Sequence, residues 1–174
     1  MNQTENLAAR ECAWSAFPEG KRAWLVKHGM ALTSSFHHWT GRHLIEPTGD
    51  AEREARLLFE APFVVVSGGA EADQLLNYAN LTALGLWEMD WETLVKTPSR
   101  HTAEPMHRDE RAKFLRRVRE RGFIDDYSGI RISRMGRRFR IQRAIVWNVL
   151  DDAGGYGGQA ATFSSWEFLG SDKN

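Results

Sequence analysis

The residue types that carry out chemistry in proteins are sparse in this chain, and their spacing matches no catalytic or metal-binding pattern. The only cysteine is Cys12, so the 174-residue chain can form neither an intramolecular disulfide nor a zinc site built on cysteines. His37, His38 and His43 are separated by one and five residues, which is no recognised metal-ligand spacing. The two pairs of adjacent aspartates would point to opposite faces of a strand. We therefore expect no metal site and no catalytic group.

One polar side chain on a predicted strand has the chemistry to bind a ligand. Gln159 alternates with Ala161 and Phe163, so the three side chains share a face. An amide that points inward can both donate and accept hydrogen bonds toward a heteroaromatic molecule. The alternative is that Gln159 bonds a neighbouring strand or the end of a helix.

The strand predicted from residue 138 to 150 supplies a second set of candidate wall residues. Its alternation places four apolar residues on one face: Phe139, Ile141, Ile145 and Trp147. Arg143 falls on the same parity as Phe139 and Ile141. Such an arginine is either a buried ion-pair partner, for Asp125 or Asp126, or the sign of a β-bulge.

Charge is balanced overall and uneven along the chain. There are 23 basic and 23 acidic residues, so the net charge favours neither nucleic acid nor membranes. Residues 107–143 nevertheless carry 13 Lys/Arg against 5 Asp/Glu. The predicted helix 108–121 would suit phosphate contacts, but no helix-turn-helix, zinc or basic-zipper pattern accompanies it. We expect its charges to face water or to pair with the acidic N-terminal helices.

Hydropathy and cysteine usage bear on location. No stretch approaches the roughly 20 apolar residues that span a bilayer. Residues 1–10 are polar, without the charged and apolar regions of an export signal. We expect a cytoplasmic protein with no membrane association.

The elements that would position these residues are helices first and strands later. Apolar residues recur at three- and four-residue spacing from 21 to 39, which predicts an amphipathic helix that Gly41 ends. Asp50 is a plausible N-cap for a second helix, Asn80 or Thr82 for a third, and Asp90 for a fourth. Strands are predicted over 63–67, 75–79, 123–133, 138–150 and 156–163. This order indicates an α+β fold with one five-stranded antiparallel sheet.

The first strand requires cover on both faces, because residues 63–66 are apolar at four successive positions. Short helices would cover one face. The helix from Arg22 to Trp39 would cover the other, either on its own sheet or across a dimer. We expect burial of Trp24, Phe36 and Trp39 to make this helix integral to the fold.

The order of a hairpin, short helices, a longer helix and a three-stranded meander resembles the PAS domain. Several segments are more specifically similar to the PAS-related MEKHLA family, over roughly residues 32 to 163: Ser99–Pro105, Arg121–Tyr127, Gly129–Ser133, Trp147-Asn148 and Gly158–Phe163. The resemblance implies an N-terminal helical extension at 1–60 and a PAS-like domain at 61–168. It implies a cavity between the sheet and the short helices, for which we name eight candidate lining residues: Asn80, Trp87, His101, His107, Phe139, Ile141, Trp147 and Gln159.

The resemblance implies a sensory or protein-interaction module without catalytic activity, dimeric, with a signalling protein partner and room for a small ligand. One alternative is a haem- or flavin-type cofactor-binding protein. His101 and His107 flank the segment where some PAS domains place a haem ligand, although Cys12 lies too far away for a flavin–cysteine adduct. A second alternative is an uncharacterised enzyme or a nucleic-acid-associated regulator. The cofactor, if any, stays unknown at this point.

Overall fold

The computed structural model describes residues 13–103 and 108–170, and the helices come first. Before the sheet lie α1, which spans Glu19–Thr40, and α2, which spans Ala51–Glu60. Between the second and third strands lie α3 (Leu81–Trp87), α4 (Trp91–Leu94), a 3-10 helix (Ser99–Thr102) and α5 (Arg108–Arg121). Among the described residues, no helix combines the length and the apolar character needed to cross a bilayer.

The predicted helix ends are confirmed at the level of single hydrogen bonds. The Asp50 carboxylate accepts from the amides of Glu52 and Arg53 at the start of α2. Asn80 caps α3 and Asp90 caps α4. Gly41 ends α1 with φ at 69°, in the left-handed region that glycine occupies without strain. The sequence also predicts a weakly periodic helical stretch at residues 6–17, most of which lies outside the described residues; residues 13–15 of it are helical.

The sheet is antiparallel and has six strands rather than the five expected. The strands are β1 (Val64–Gly68), β2 (Leu76–Ala79), β3 (Phe123–Ile132), β4 (Arg138–Leu150), β5 (Tyr156–Phe163) and β6 (Trp166–Phe168). Their order is β2-β1-β5-β4-β3, and β6 pairs with the first part of β4. The sequence prediction missed β6 because three residues are too few for alternation to show.

Each face of the sheet carries its own apolar layer. The inner face packs against α3 and α5, with Val64, Trp87 and Phe139 among its buried side chains. The outer face packs against α1 and α2, with Phe36 and Trp147 among them. The sheet is thus the wall between two cores, as a strand with two buried faces requires.

A β-bulge at Arg143 reverses the alternation of β4. Arg143 has φ at 50°, lies exposed, and leaves one extra residue on β4 between the pairs Tyr127–Ala144 and Gly129–Ile141. Phe139 and Ile141 therefore lie on the inner face, but Trp147 lies on the outer one. The prediction that all four apolar residues of β4 share a face was wrong for Trp147 and, equally, for Ile145. Of the two interpretations of Arg143, the bulge is the one observed.

Helix α1 covers the outer face of its own sheet. The indole Nε1 of Trp39 donates to the carbonyl of Asn148 at 2.8 Å, and the amide of Leu150 donates to Ser35 Oγ at 2.8 Å. Phe36 meets the ring of Trp147 edge-on. Burial of Trp24 was predicted, yet its side chain is 41% exposed, because it lies flat on His28 rather than under the helix.

Candidate functional site

A cavity of about 130 Å³ lies against the inner face of the sheet. Strands β1 to β5 form one side of it, and α3, the 3-10 helix and α5 form the opposite side. Its apolar wall includes Val66, Leu76, Trp87, Phe114, Ile141 and Phe163. A mostly apolar cavity with a few convergent polar groups is the usual form of a small-molecule site.

The amide of Gln159 belongs to this wall, and a chain of hydrogen bonds fixes which way it points. Asn148 Nδ2 donates to the carbonyl of Val118 at 3.1 Å, so Asn148 Oδ1 faces the other way. Gln159 Nε2 donates to that oxygen at 3.4 Å. Gln159 Oε1 is then left without a donor among the described residues. Gln159 therefore bonds a neighbouring strand and also lies in the cavity wall, where an interaction with a ligand stays a prediction.

Tyr127 and Arg131 form the polar end of the cavity on β3. Arg131 Nη2 donates to Tyr127 Oη at 3.0 Å, and the guanidinium carbon lies 5.2 Å from the centre of the Tyr127 ring. The ring of Phe114 packs on the other side at 4.5 Å between centres. Sequence reasoning missed both residues, although their separation of four places them on one face of a strand.

The eight residues predicted to line the cavity have different positions. Trp87, Ile141 and Gln159 lie in its wall, and Phe139 is fully buried in the layer behind it. Trp147 is on the outer face because of the bulge. His101 is exposed on the 3-10 helix and does not line the cavity, while its neighbours Ser99 and Thr102 do. His107 lies outside the described residues.

Asn80 is occupied by the fold itself. Its Oδ1 accepts from the amides of Val65 at 3.0 Å and Ala83 at 3.1 Å. Its Nδ2 donates to the carbonyl of Phe63 at 2.6 Å and lies within 3.4 Å of the carbonyl of Leu58. Since all these bonds are internal and the side chain is fully buried, Asn80 joins α2, β1 and α3 rather than facing the cavity.

A second polar cluster lies on the outer face of β1. Ser67 Oγ donates to Asn77 Oδ1 at 2.6 Å, so it accepts from His28 Nε2 at 2.9 Å. His28 is stacked on Trp24, and burial lowers its pKa to about 4. A neutral imidazole that donates to the serine cannot remove the serine proton, so this trio has the wrong polarity for nucleophilic catalysis.

Two arginines of the basic helix α5 contact residues of the sheet. Arg117 Nη2 lies 3.6 Å from Asp126 Oδ2, and the Arg119 guanidinium lies 4.7 Å from the centre of the Tyr156 ring. The expected pairing with the acidic N-terminal helices is thus replaced, for these two arginines, by contacts with β3 and β5. Among the described residues, no group of three histidine, cysteine or carboxylate side chains could hold a metal ion.

Comparison with known proteins identifies the family to which this architecture belongs. The family model of the MEKHLA domain matches residues 26–168, most of the chain. The chain belongs to the MEKHLA domain family. The resemblance inferred from its motifs is confirmed, and the family match begins inside α1. A search of curated proteins gave no match to this MEKHLA chain.

Solved structures show that the MEKHLA fold here is of the PAS type. An RNA-binding light-oxygen-voltage receptor superposes with a TM-score of 0.55 at 18% identity, over 70% of this chain and 35% of the receptor. The light-state dimer of the fungal blue-light photoreceptor Vivid gives 0.52 at 12% identity, over 76% and 90%. A PAS domain from Colwellia psychrerythraea gives 0.50 at 10%, over 64% and 93%. The MEKHLA chain spans about a third of the receptor's length. The predicted PAS-like α+β fold is confirmed.

Proposed function

We propose that this MEKHLA protein is a sensory module that binds a small molecule in the inner-face cavity and catalyses no reaction. The observation that carries the proposal is Gln159, which lies in the cavity wall and whose amide oxygen accepts no hydrogen bond from the described residues. A ligand that donates to Gln159 Oε1 would add one hydrogen bond, with a net contribution of about 0.5–1.5 kcal/mol.

The size of the cavity favours a ligand of about one ring. An apolar cavity of roughly 150 Å³ accommodates benzene, whereas drug-sized ligands occupy roughly 300–1,000 Å³. At about 130 Å³, this cavity matches the first case. A flavin, with three fused rings, would require wall residues such as Trp87 or Phe114 to move.

The haem alternative receives less support. A haem ligand must place its imidazole nitrogen in the pocket that holds the iron. His101 is exposed on the 3-10 helix and is not part of the cavity wall. We therefore prefer a small organic ligand to haem or flavin, although the light-oxygen-voltage proteins share the fold.

We further propose that residues 61–168 form the sensory unit and residues 1–60 its helical cover. Hydrogen bonds from α1 to Ser67, Asn148 and Leu150 support the view that this cover is needed for stability. Deletion of residues 1–45 should lower the melting temperature and expose the outer face. An unchanged melting temperature and oligomeric state would contradict this role. The homodimer, the signalling protein partner and the cytoplasmic location stay predictions; size-exclusion chromatography with light scattering tests the first.

Ligand binding is tested by native mass spectrometry of protein purified from its own host, followed by an NMR screen of one-ring fragments. We expect a retained small molecule or fragments that shift the amide signals of cavity residues. Gln159→Leu should weaken fragment binding about tenfold, since one hydrogen bond is lost. The control Gln142→Leu, on the exposed side of β4, should bind like the natural protein. No retained molecule and no fragment that shifts the cavity signals would overturn the proposal.

A further inference from the structure

The charge in the cavity specifies the chemistry of the ligand more closely than its volume does. Resting on the function proposed above, we infer that the ligand is a one-ring carboxylate whose anionic group binds Arg131. Of the described residues that line the cavity, Arg131 is the only charged one. The described part of the cavity wall therefore presents a positive charge to its occupant and no negative charge to oppose it.

Arg131 is held in place before any ligand arrives. Nη2 donates to Tyr127 Oη at 3.0 Å and Nη1 donates to the carbonyl of Ile130 at 3.2 Å. Gly129 makes room for this arrangement: a Cβ at this position would lie 2.8 Å from Tyr127 Oη and 3.4 Å from Arg131 Nη1. A guanidinium fixed in this way loses little conformational entropy when it binds a further group.

The guanidinium has donors to spare. It carries five N–H groups, of which the two bonds above use two. No carboxylate of the described residues lies within 4 Å of it, whereas the exposed Arg117 and Arg137 each have one. A half-buried cation without a counter-ion favours binding of an anion, and a planar carboxylate matches the guanidinium in a two-point contact.

The other residues of the cavity wall indicate the size and the aromatic character of the rest of the ligand. Trp87, Phe114 and Phe163 supply aromatic surface, and the volume admits one ring. A phosphate ester would carry a second negative charge, for which the described wall offers no second cation. The wall therefore suits an aromatic monocarboxylate, in which a ring hydroxyl would supply the donor to Gln159 Oε1. Benzoate, the simplest member of that class, lacks this hydroxyl and tests the contact with Arg131 alone.

The experiment compares benzoate with benzamide, its neutral counterpart of the same shape, by isothermal titration calorimetry at pH 7. We expect the natural protein to bind benzoate at least about tenfold more tightly, because a hydrogen bond to a charged group is stronger than a neutral one. Arg131→Met should bind the two compounds equally. Arg140→Met, an exposed arginine on β4, removes the same charge outside the cavity and should keep the preference.

The outcomes separate this inference from the proposed function. Benzamide binding as tightly as benzoate would overturn the carboxylate and leave a ligand-binding module. Binding of neither compound would also overturn the carboxylate, while the fragment screen decides the module independently. If Arg131→Met still bound benzoate more tightly than benzamide, a group other than Arg131 would be responsible for the preference, and the inference would be wrong. Should Arg131→Met not fold, Arg131→Gln gives the second test, because it keeps hydrogen-bond donors and removes the charge. Loss of the benzoate preference in Arg131→Gln would support the inference, and a preference that persists would overturn it.

Discussion

The indole nitrogen of Trp39 donates a 2.8 Å hydrogen bond to the main-chain carbonyl of Asn148. The side chain of the same asparagine faces the inner layer, where it accepts from Gln159 and donates to the carbonyl of Val118 in α5. One residue of β4 therefore connects the outer helix, the cavity wall and the basic helix.

Gly122 lies directly under the ring of Trp39, and its replacement should be costly. Its φ is 82°, and a Cβ there would overlap the six-membered ring of Trp39. Gly136 has the same φ of 82° but open space around it. We expect Gly136→Ala to lose about 1–2 kcal/mol from backbone strain alone, and Gly122→Ala a further 1–3 kcal/mol or so. Urea denaturation measures both, and equal losses would contradict the close approach of Trp39.

Tyr78→Phe should leave stability unchanged or raise it by about 1 kcal/mol. The Tyr78 hydroxyl is buried and has no hydrogen-bond partner in the described part of the chain, so folding desolvates it without compensation. Burial raises the pKa of this phenol accordingly. Tyr127→Phe is the matched control and should be destabilising, because it removes the acceptor of Arg131. A loss above about 1 kcal/mol in Tyr78→Phe would indicate a partner such as buried water.

His28 should make stability fall as the pH decreases from about 6.5 to about 4. Burial lowers its pKa from 6.5 to about 4, so over this window the unfolded chain binds a proton that the folded chain does not. The contribution is complete above pH 6.5. It decreases by up to about 1.4 kcal/mol per pH unit within the window.

Urea denaturation between pH 7.5 and 5 measures this decrease in the free energy of unfolding. The range lies above the pH at which most carboxylates titrate. His28→Gln keeps a donor for Ser67 and should show a flatter pH dependence than the natural protein. The control His101→Gln replaces an exposed histidine and should keep the pH dependence of the natural protein. Parallel curves for the natural protein and His28→Gln would show that His28 does not titrate abnormally.

Asn80→Ala should cost about 3 kcal/mol, clearly more than Asp90→Ala. Both residues cap a helix, which contributes about 1 kcal/mol. The side chain of Asn80 also bonds the amide of Val65 and the carbonyl of Phe63, and its loss leaves these groups buried without partners. Asp90 caps only the amide of Thr93 at the surface. Thermal and urea denaturation measure the loss of unfolding free energy in each variant. Similar losses in Asn80→Ala and Asp90→Ala would refute the structural role assigned to Asn80.

Local signals in the sequence were enough to predict the elements other than the short strand β6, but they did not show which face of the sheet each side chain occupies. Capping residues and left-handed glycines act within a few residues of the chain, so Asp50, Asp90 and Gly41 could be identified without tertiary information. The bulge at Arg143 depends on pairing with β3, fifteen residues away, and it moved Trp147 to the outer layer. Gln159 could be placed on the same face as Ala161 and Phe163 because no register shift interrupts β5 between Gln159 and Phe163. The role of Asn80 depended on contacts with Val65 and Phe63 across the hairpin, which spacing does not reveal.

Trp87 has a practical consequence for any search for the ligand. Its indole is 3% exposed and forms part of the cavity wall, whereas Trp147 lies behind the sheet. An aromatic occupant in van der Waals contact with that indole would change its near-ultraviolet circular dichroism and quench its emission. The protein thus contains an intrinsic optical reporter, and Trp87→Phe provides the blank against which label-free titrations can be read.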